Sequence, residues 1–234
     1  REGVKFHNGE MLTTEDVEYS FERVMVQDRQ GGPAWMLYEA LLGCWEANLS
    51  DSDWGAKIDN AVQRNATHVW FNLAKSYASF PAILTQSWCS ILSKKFCMQH
   101  GDWPGTWDEW QNFHDPEVSP LDSPEAAMCG TGPYMLDYWQ KGLEWSIIKF
   151  EEYWGGWPAK NSKGFVERVT VKVEWEWTKR CDGFISGDYD MIIVPRQYID
   201  QVEGLPGIRC VKNLPTLTCN VLFFTFDINT TSPY

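Results

Sequence analysis

Paired acidic residues are the first candidates for chemistry in this sequence. Glu151 is followed by Glu152, and Glu174 and Glu176 alternate along a predicted strand. A glycoside hydrolase needs two carboxylates whose burial or crowding separates their pKa values, so that one acts as acid and the other as base or nucleophile. Because Glu174 and Glu176 fall on the polar face of an amphipathic strand, we favour a solvated surface there. A Trp-rich hydrolase is kept as an alternative.

Histidines and aspartates between residues 100 and 115 form a second candidate set. The set comprises His100, Asp102, His114 and Asp115. The loop between them is long, and their spacing matches no standard metal site. The sequence also lacks a phosphate-binding loop, a dinucleotide-binding glycine motif, a nucleophile elbow and an H-E-x-x-H pair. We therefore expect no metal, no cofactor and no catalytic residue.

Tryptophan is the most unusual component, with fourteen residues in a chain of 234. An indole offers a large flat face and one N–H donor, so it suits stacking surfaces as well as cores. Trp175 and Trp177 are expected in the core, because they continue the apolar face of a strand. Tryptophans beside turns should anchor packing, and one or two beside loop-like sequence could face a cleft. The turn group is Trp139, Trp154 and Trp157, and the loop group is Trp35, Trp88, Trp103, Trp107 and Trp110.

Composition and charge exclude several classes of protein. Hydrophobic residues make up 44% of the chain and charged residues 22%, as in ordinary globular proteins. The net charge of -12 would repel a polyanion, so nucleic-acid binding is not expected. No run of uninterrupted apolar residues is long enough for a transmembrane helix. The chain opens on Arg1 without an initiator Met or a signal-peptide pattern, which suggests a fragment or a mature form.

Cysteines and glycosylation sequons bear on the compartment. The seven cysteines form no C-x-x-C pair, and their odd number implies a free thiol or a partner outside this segment. Three N-x-[ST] sequons begin at Asn48, Asn65 and Asn229, and each would suit a glycosylated surface. Together they favour an extracytoplasmic protein.

A capped helix is the clearest local element. A short strand should end at the turn of Asn8 and Gly9. Thr13 is then a good N-cap, with Asp16 as its capping-box partner. Apolar residues at 17, 21 and 24 fall on one helical face, which predicts a helix over this segment.

The remaining pattern alternates strands with short helices, which indicates an α/β architecture. Residues 101–124 show no period and are interpreted as a long surface excursion tied down by tryptophans. Lys141 and Gly142 should join two strands. Strands are predicted at residues 68–73, 134–139, 145–150, 168–177, 190–194, 208–212 and 218–228, and helical segments within 79–98 and at 178–186 and 196–203.

Four blocks of sequence resemble the family 5 extracellular solute-binding proteins, the oligopeptide-, dipeptide- and nickel-binding components of ABC importers. The first joins REGVKFHNG at residues 1–9 to LTTEDVEYSFERV at 12–24. The second is GTGPY at 130–134, followed by Trp139, Gly142 and YWGGWP at 153–158. The third is SGDYDM at 186–191, and the fourth is FTFDIN at 224–229. The blocks occur in the family's order and span nearly the whole chain.

The resemblance implies an α/β fold like that of class II periplasmic binding proteins, with a mixed sheet and flanking helices in a partial lobe one. Residues 1–128 would form the outer subdomain of lobe one. Residues 129–234 would belong to its central α/β subdomain and end near the hinge to a missing lobe two. On this interpretation the chain is one half of a clamshell that closes around a solute.

The resemblance also implies ligand contacts, partners and a location. Residues of the loop after the first helix and of the last strand are the candidates for ligand binding, namely Trp35, Met36, Tyr38, Phe224, Phe226 and Asp227. The expected ligand is a peptide, with an oligosaccharide as the alternative because tryptophans stack on sugar rings. The expected partners are ABC permease subunits in the membrane. The protein would act in the periplasm or at the cell surface, held to the membrane by an anchor in its full-length form. A structural surface protein of the same fold is the remaining alternative.

Overall fold

A computed structural model describes residues 1–157 and 166–213 of the chain. These residues form six α-helices, five strands and three short 3₁₀ segments. The helices are α1 (Thr14–Gln27), α2 (Trp35–Leu41), α3 (Trp54–Ala61), α4 (Phe80–Ile83), α5 (Lys94–Gln99) and α6 (Trp177–Ser186). The strands are β1 (Val62–Arg64), β2 (Val69–Phe71), β3 (Tyr134–Gln140), β4 (Glu144–Lys149) and β5 (Arg168–Lys172), and the 3₁₀ segments are Ser87–Cys89, Trp110–Phe113 and Arg196–Gln201.

Helix α1 begins at the predicted capping box. The Thr13 hydroxyl accepts a hydrogen bond from the Asp16 backbone N–H, and an Asp16 carboxylate oxygen accepts from the Thr13 backbone N–H at 2.9 Å. The helix ends at Asp28, which adopts a left-handed conformation with φ of 31°. Before the helix, the predicted strand is reduced to a single antiparallel bridge between Lys5 and Met11 around the turn at Gly9.

One hydrophobic core lies between α1 and the helices and loops that follow it. Its buried members come from α1, α2, α3, β1 and the segments up to residue 110. Met25, Leu37 and Ile58 are completely buried there. The β1–β2 hairpin packs on the same core through Val62 and Phe71, so the strand predicted at 68–73 is confirmed in its central part.

The long excursion at residues 101–124 is tied down by tryptophans, as predicted. Trp103 is fully buried and stacks on Tyr19 with ring centroids 5.5 Å apart, and the Tyr19 hydroxyl donates to the Trp103 carbonyl at 2.8 Å. Trp110 is also buried, and the indole N–H of Trp107 donates to Asp59 at 2.8 Å. These contacts hold a segment of little regular structure against α1 and α3.

Strands β3, β4 and β5 form an antiparallel sheet in that order. The predicted turn at Lys141 and Gly142 is confirmed, and Gly142 has a positive φ of 79°. Both sheets within residues 1–157 and 166–213 are antiparallel, so a mixed sheet is not formed by the described strands alone. The predicted anchors Trp154 and Trp157 donate from their indole N–H groups to the carbonyls of Thr131 and Phe150.

The strand predicted over residues 168–177 is shorter than expected, and the core assignment of Trp175 and Trp177 is wrong. Strand β5 ends at Lys172, which pairs with Glu144 at the start of β4. The Val173 N–H still donates to the Leu143 carbonyl in the β3–β4 turn at 2.7 Å, but residues 174–177 belong to no strand among the described residues. Trp175 is 88% exposed, and Trp177 starts α6 and stacks on Tyr198 at 4.7 Å.

Helix α6 confirms the helix predicted at 178–186, and it stops at Gly187 with φ of 86°. The strands predicted at 190–194 and 208–212 are wrong, because no described strand pairs with either segment. Met191 and Ile193 are 86% and 84% exposed. The helix predicted at 196–203 is a 3₁₀ segment, and the strand predicted at 218–228 lies outside the described residues.

The chain divides into two compact units, Arg1–Val173 and Glu174–Tyr234. The predicted subdomain boundary at 128/129 falls inside the first unit and stays a prediction about the complete protein. No helix among the described residues is both long and apolar enough to cross a membrane. All six described cysteines are unpaired thiols, four of them buried, and Cys219 lies outside the described residues.

Candidate functional site

A surface groove of about 480 Å³ opens at the carboxyl end of α1. Three short segments of chain build it: the loop after α1 with the start of α2, the loop between α2 and α3, and the end of the 3₁₀ segment at residues 110–113. Its lining residues are Asp28, Arg29, Gln30, Gly31, Gly32, Trp35, Trp45, Glu46, Ala47, His114 and Asp115.

Backbone hydrogen bonds hold these segments together. The N–H of Asp115 donates to the Gln27 carbonyl at 2.7 Å, and an Asp115 carboxylate oxygen accepts from the Gln30 N–H at 2.9 Å. A ring nitrogen of His114 lies 3.2 Å from the Val26 carbonyl. The carbonyls at the end of α1 therefore gain partners from the residue 114–115 loop, which fixes the groove floor to a rigid helix.

Asp28 links the groove floor to the α2–α3 loop. Its Oδ2 atom accepts a hydrogen bond from the Ala47 N–H at 3.2 Å. Burial raises the pKa of the Asp28 carboxyl, the Ala47 hydrogen bond opposes that rise, and the negative charges of Asp115 and Glu46 add to it. The charge of His114 lowers the pKa, so burial is the main cause of its rise.

Two indole rings are the large apolar surfaces of the groove. Trp35 is 44% exposed and Trp45 is 73% exposed, although both are among the largest side chains in the chain. An exposed indole presents a flat face that can stack on a sugar, a peptide group or a cation. A floor held by hydrogen bonds, charged side chains and open aromatic faces are suited to binding a solute.

The structure brings only part of the predicted ligand-contact set to this groove. Trp35 lines it, whereas Met36 is half-buried against the core. Tyr38 is fully buried, its hydroxyl donates to the Met25 carbonyl, and burial raises its pKa. Phe224, Phe226 and Asp227 lie outside the described residues. The ligand-contact role of all six residues stays a prediction.

Sequence reasoning missed most of the groove. Asp28, Trp45 and Asp115 come from segments that are distant in sequence and without regular period, so no local pattern joins them. No local pattern singles out Trp45 either, because Leu41, Leu42 and Leu49 lie at helical spacing from it.

A second concavity of about 470 Å³ lies beside the start of α1. Its lysines are already paired, since Lys95 binds Glu10 at 2.5 Å and Lys94 binds Glu15 at 2.8 Å. Its lining is Phe6, Glu10, Met11, Thr13, Glu15, Asp16, Ser93, Lys94, Lys95, Met98 and Pro104. Because its charges satisfy one another, it offers less to a polar ligand than the groove at the other end of α1.

The candidate metal ligands near residues 100–115 are engaged elsewhere. Asp102 is buried and binds Arg23 at 2.6 Å and Gln27 at 2.7 Å. A ring nitrogen of His100 lies 2.8 Å from the Phe96 carbonyl. Across residues 1–157 and 166–213, no group of three or more His, Cys, Asp or Glu side chains is placed to hold a metal ion.

The acidic pairs considered for glycoside hydrolysis lie at the surface. Glu151 forms an ion pair with Lys149 at 2.8 Å, and Glu152 forms one with Lys5 at 2.6 Å. Glu176 pairs with Lys179 at 2.9 Å. These side chains lie in solvent beside lysines, whereas the acid of a glycoside hydrolase needs a buried or crowded setting.

Two of the three sequon asparagines, Asn48 and Asn65, are exposed on turns. The Asn65 side-chain oxygen accepts from the backbone N–H groups of Thr67 and His68 at the tip of the β1–β2 hairpin. Asn229 lies outside the described residues. Glycosylation at the three sites stays a prediction.

Comparison with known proteins bears on the whole chain. A sequence model described as "Bacterial extracellular solute-binding proteins, family 5 Middle" matches residues 1–232. The probable D,D-dipeptide-binding periplasmic protein DdpA of Escherichia coli (strain K12) is 27% identical over 205 residues, which are 88% of this chain and 31% of that protein. This chain therefore spans about a third of the length of that relative.

Solved structures share the fold at lower identity. Listeria monocytogenes OppA bound to peptide superposes with a TM-score of 0.60 at 18% identity, over 88% of this chain and 36% of that one. The oligopeptide-binding protein AppA of Bacillus subtilis, in complex with a nonapeptide, gives 0.61 at 20% identity, over 88% and 33%. These similarities confirm the expected α/β fold of periplasmic binding proteins.

Proposed function

The chain belongs to the family 5 bacterial extracellular solute-binding proteins, and we propose that it provides one wall of a cleft that captures peptides or similar small solutes. Members of this family serve ABC importers and act in the periplasm or outside the cell. In this proposal the complete protein delivers its solute to permease subunits in the membrane and does not transform it. A membrane anchor in the complete protein is part of the same proposal.

The observation that carries this function is the groove at the end of α1. Its floor is held by hydrogen bonds from Asp115 to the α1 terminus, and Trp35 and Trp45 are open to solvent above it. Large exposed aromatic faces on a rigid scaffold are typical of binding surfaces. The surface ion pairs of the candidate acids argue for binding rather than hydrolysis.

In this proposal, solute capture also needs parts of the complete protein that lie outside this chain. The chain spans about a third of its relatives' length, and we propose that another part of the complete protein forms the opposite lobe. Closure of two lobes by a hinge would exclude water from the solute. In that arrangement residues 1–128 form the outer subdomain of lobe one, and residues 129–234 lead to the hinge.

A peptide is the first candidate solute. Relatives in this family include a probable D,D-dipeptide-binding protein and two proteins solved with peptides. An oligosaccharide is the second candidate, and the exposed indoles of Trp35 and Trp45 favour it, because flat aromatic faces stack on sugar rings.

Mass spectrometry of solute carried by the purified full-length protein tests this function. Peptides are expected in the released material, and oligosaccharides would favour the second candidate. Trp35→Ala should reduce the amount recovered, whereas Trp70→Ala, an exposed tryptophan outside the groove, should not. A protein that carries no solute and binds neither a peptide library nor oligosaccharides would overturn the proposal. A structural surface protein would give that result.

A further inference from the structure

The groove at the end of α1 combines open indole faces with uncompensated negative charge. Its carboxylates are Asp28, Glu46 and Asp115, and its basic groups are the guanidinium of Arg29 and the imidazole of His114. None of these carboxylates forms an ion pair within the part of the chain that the structure describes. The Arg29 guanidinium instead donates to the Glu117 carbonyl at 3.1 Å.

The carboxylates of the groove can accept further hydrogen bonds from a ligand. Asp28 accepts the Ala47 N–H through Oδ2, and Asp115 accepts the Gln30 N–H through Oδ1. Each therefore has a second oxygen with no hydrogen-bond donor among residues 1–157 and 166–213, and the Glu46 side chain is exposed. A carboxylate can accept several hydrogen bonds, so a cationic donor could be added without breaking the existing bonds.

Helix α1 adds to the negative electrostatic potential of the groove. The carboxyl end of α1 carries the negative pole of a 14-residue helix, and no basic side chain lies in its last turn. Cations are favoured at such a terminus. Burial raises the pKa of the Asp28 carboxyl, the charges of Asp115 and Glu46 add to that rise, and a bound cation would oppose it.

We propose that this groove binds an organic cation, an alkylammonium or guanidinium group of the captured solute, between the indoles of Trp35 and Trp45 and the carboxylates of Asp28, Glu46 and Asp115. The inference rests on the proposed function and assigns a chemical class to the solute. The aromatic faces attract the cation through their quadrupoles and cover its apolar carbons. The carboxylates supply the opposite charge.

Other ligand classes fit this groove less well. An anion would meet three carboxylates and a helix carboxyl terminus. A neutral sugar would stack on the indoles but leave the negative charge without a partner. A metal ion needs several ligands converging at coordination distance, and no such group exists among the described residues.

Calorimetry on the full-length protein tests the inference with two probes of equal shape. Choline carries a quaternary ammonium, and 3,3-dimethylbutan-1-ol is its neutral carbon isostere. Choline should bind at least about tenfold more tightly than the alcohol, and added sodium chloride should weaken choline binding because salt screens the carboxylates. Equal affinity for the two probes, or binding of neither, would overturn the inference.

Substitutions locate the binding to the groove. Trp45→Leu and Glu46→Gln should each weaken choline binding by about fivefold or more. Trp70→Leu and Glu109→Gln are matched controls, since both side chains are exposed and neither lines the groove. Circular dichroism should show that all four variants fold. Unchanged affinity in the two groove variants would place the cation elsewhere and refute the assignment.

The experiment separates this inference from the proposed function. Capture of peptides without discrimination between choline and its isostere would support the proposed function and refute the inference. Binding of choline in the groove without capture of peptides or oligosaccharides would support the cation site and refute the transport role.

Discussion

The imidazole of His7 accepts a hydrogen bond at Nδ1 from the backbone N–H of Gly130, at 3.3 Å. Its Nε2 atom lies 3.1 Å from the Gly132 carbonyl and can only donate to it. The ring is half-buried and packs edge-to-face on Phe150 with ring centroids 5.1 Å apart. The neutral Nε2–H tautomer satisfies both bonds, and His7 thus joins the N-terminal segment to the approach to β3.

Protonation of His7 would break this arrangement. An added proton on Nδ1 would face the Gly130 N–H, so two donors would oppose each other. Burial lowers the pKa of His7 from 6.5, and its bond to the Gly132 carbonyl only partly offsets that effect. The unfolded chain therefore binds the proton more readily than the folded chain. The stability that His7 contributes is present above pH 6.5 and is lost as the pH falls from there through the lowered pKa.

Thermal unfolding at a series of pH values checks this first prediction. When the pH falls from about 7.5 to 5, the melting temperature of His7→Gln should drop less than that of the wild type. Glutamine does not titrate in this range. His68→Gln is the control, since His68 is exposed at the hairpin tip. Identical pH profiles for His7→Gln and the wild type would contradict the prediction.

Glu22 gives a pH dependence of the opposite sign. The carboxyl is buried in α1, and its Oε1 atom has no hydrogen-bond partner among the described residues. Burial raises its pKa to about 9, with smaller contributions from the charges of Glu18 and Asp59. The folded protein therefore keeps a proton that the unfolded chain releases above pH 4.5. Folding stability is lost as the pH rises through this interval, by about 1.4 kcal/mol per pH unit at most.

Glu22→Gln removes the loss of folding stability at high pH and preserves the shape of the side chain. We expect the variant to be more stable than the wild type at pH 8 and to gain less at pH 5, as measured by urea denaturation. Glu2→Gln is an exposed control. A gain that does not grow with pH would contradict the protonated state assigned to Glu22.

Within the N-terminal cap of α1, Asp16 should contribute more than Thr13 to the free energy of unfolding. Asp16 accepts the Thr13 N–H, and its other oxygen accepts the Lys94 N–H at 3.0 Å, so it connects α1 to the start of α5. Thr13→Ala should cost about 1 kcal/mol of unfolding free energy, and Asp16→Ala should cost more. Thr13→Ser keeps the hydroxyl and should be near wild type in the same urea titration. Equal losses for the two alanine variants would contradict the second role of Asp16.

The buried ion pair of Arg23 and Asp102 predicts a non-additive response. Asp102 also accepts the backbone N–H of Trp103 at 2.8 Å, and its side chain is fully buried. Asp102→Asn leaves a buried guanidinium without its counter-charge and should cost about 3–5 kcal/mol. The double variant Arg23→Met with Asp102→Leu should be less destabilised than Asp102→Asn.

Chemical denaturation of these variants measures the difference. Lys57→Met is the control, because its pair with Asp51 is exposed and such pairs contribute about 1 kcal/mol or less. A double variant as unstable as Asp102→Asn would show that the loss comes from packing and not from the isolated charge.

Local signals made the start of α1 and the β3–β4 turn predictable. The capping box of Thr13 and Asp16 lies within four residues, and the β3–β4 turn needs only Lys141 and Gly142. Such features depend on neighbours in sequence, so they can be found without the tertiary structure.

Predictions failed where an element depends on a distant partner. The alternating pattern at Trp175 is as regular as that at Val169, but only Val169 lies opposite β4. Residues 190–194 have the composition of a buried strand and no pairing strand among the described residues. The groove could not be foreseen for the same reason, because Asp28 and Asp115 meet only after the chain folds.

The unpaired thiols have a consequence for the compartment in which the family works. Cys89 and Cys97 are buried, and burial raises the pKa of each to about 11. Since the thiolate is the species that attacks disulfides and oxidants, these sulfurs exist almost wholly in an inert form at neutral pH. The core can therefore reside in oxidising surroundings without scrambling its sulfur chemistry, and reagents that alkylate cysteine will report unfolding of this region.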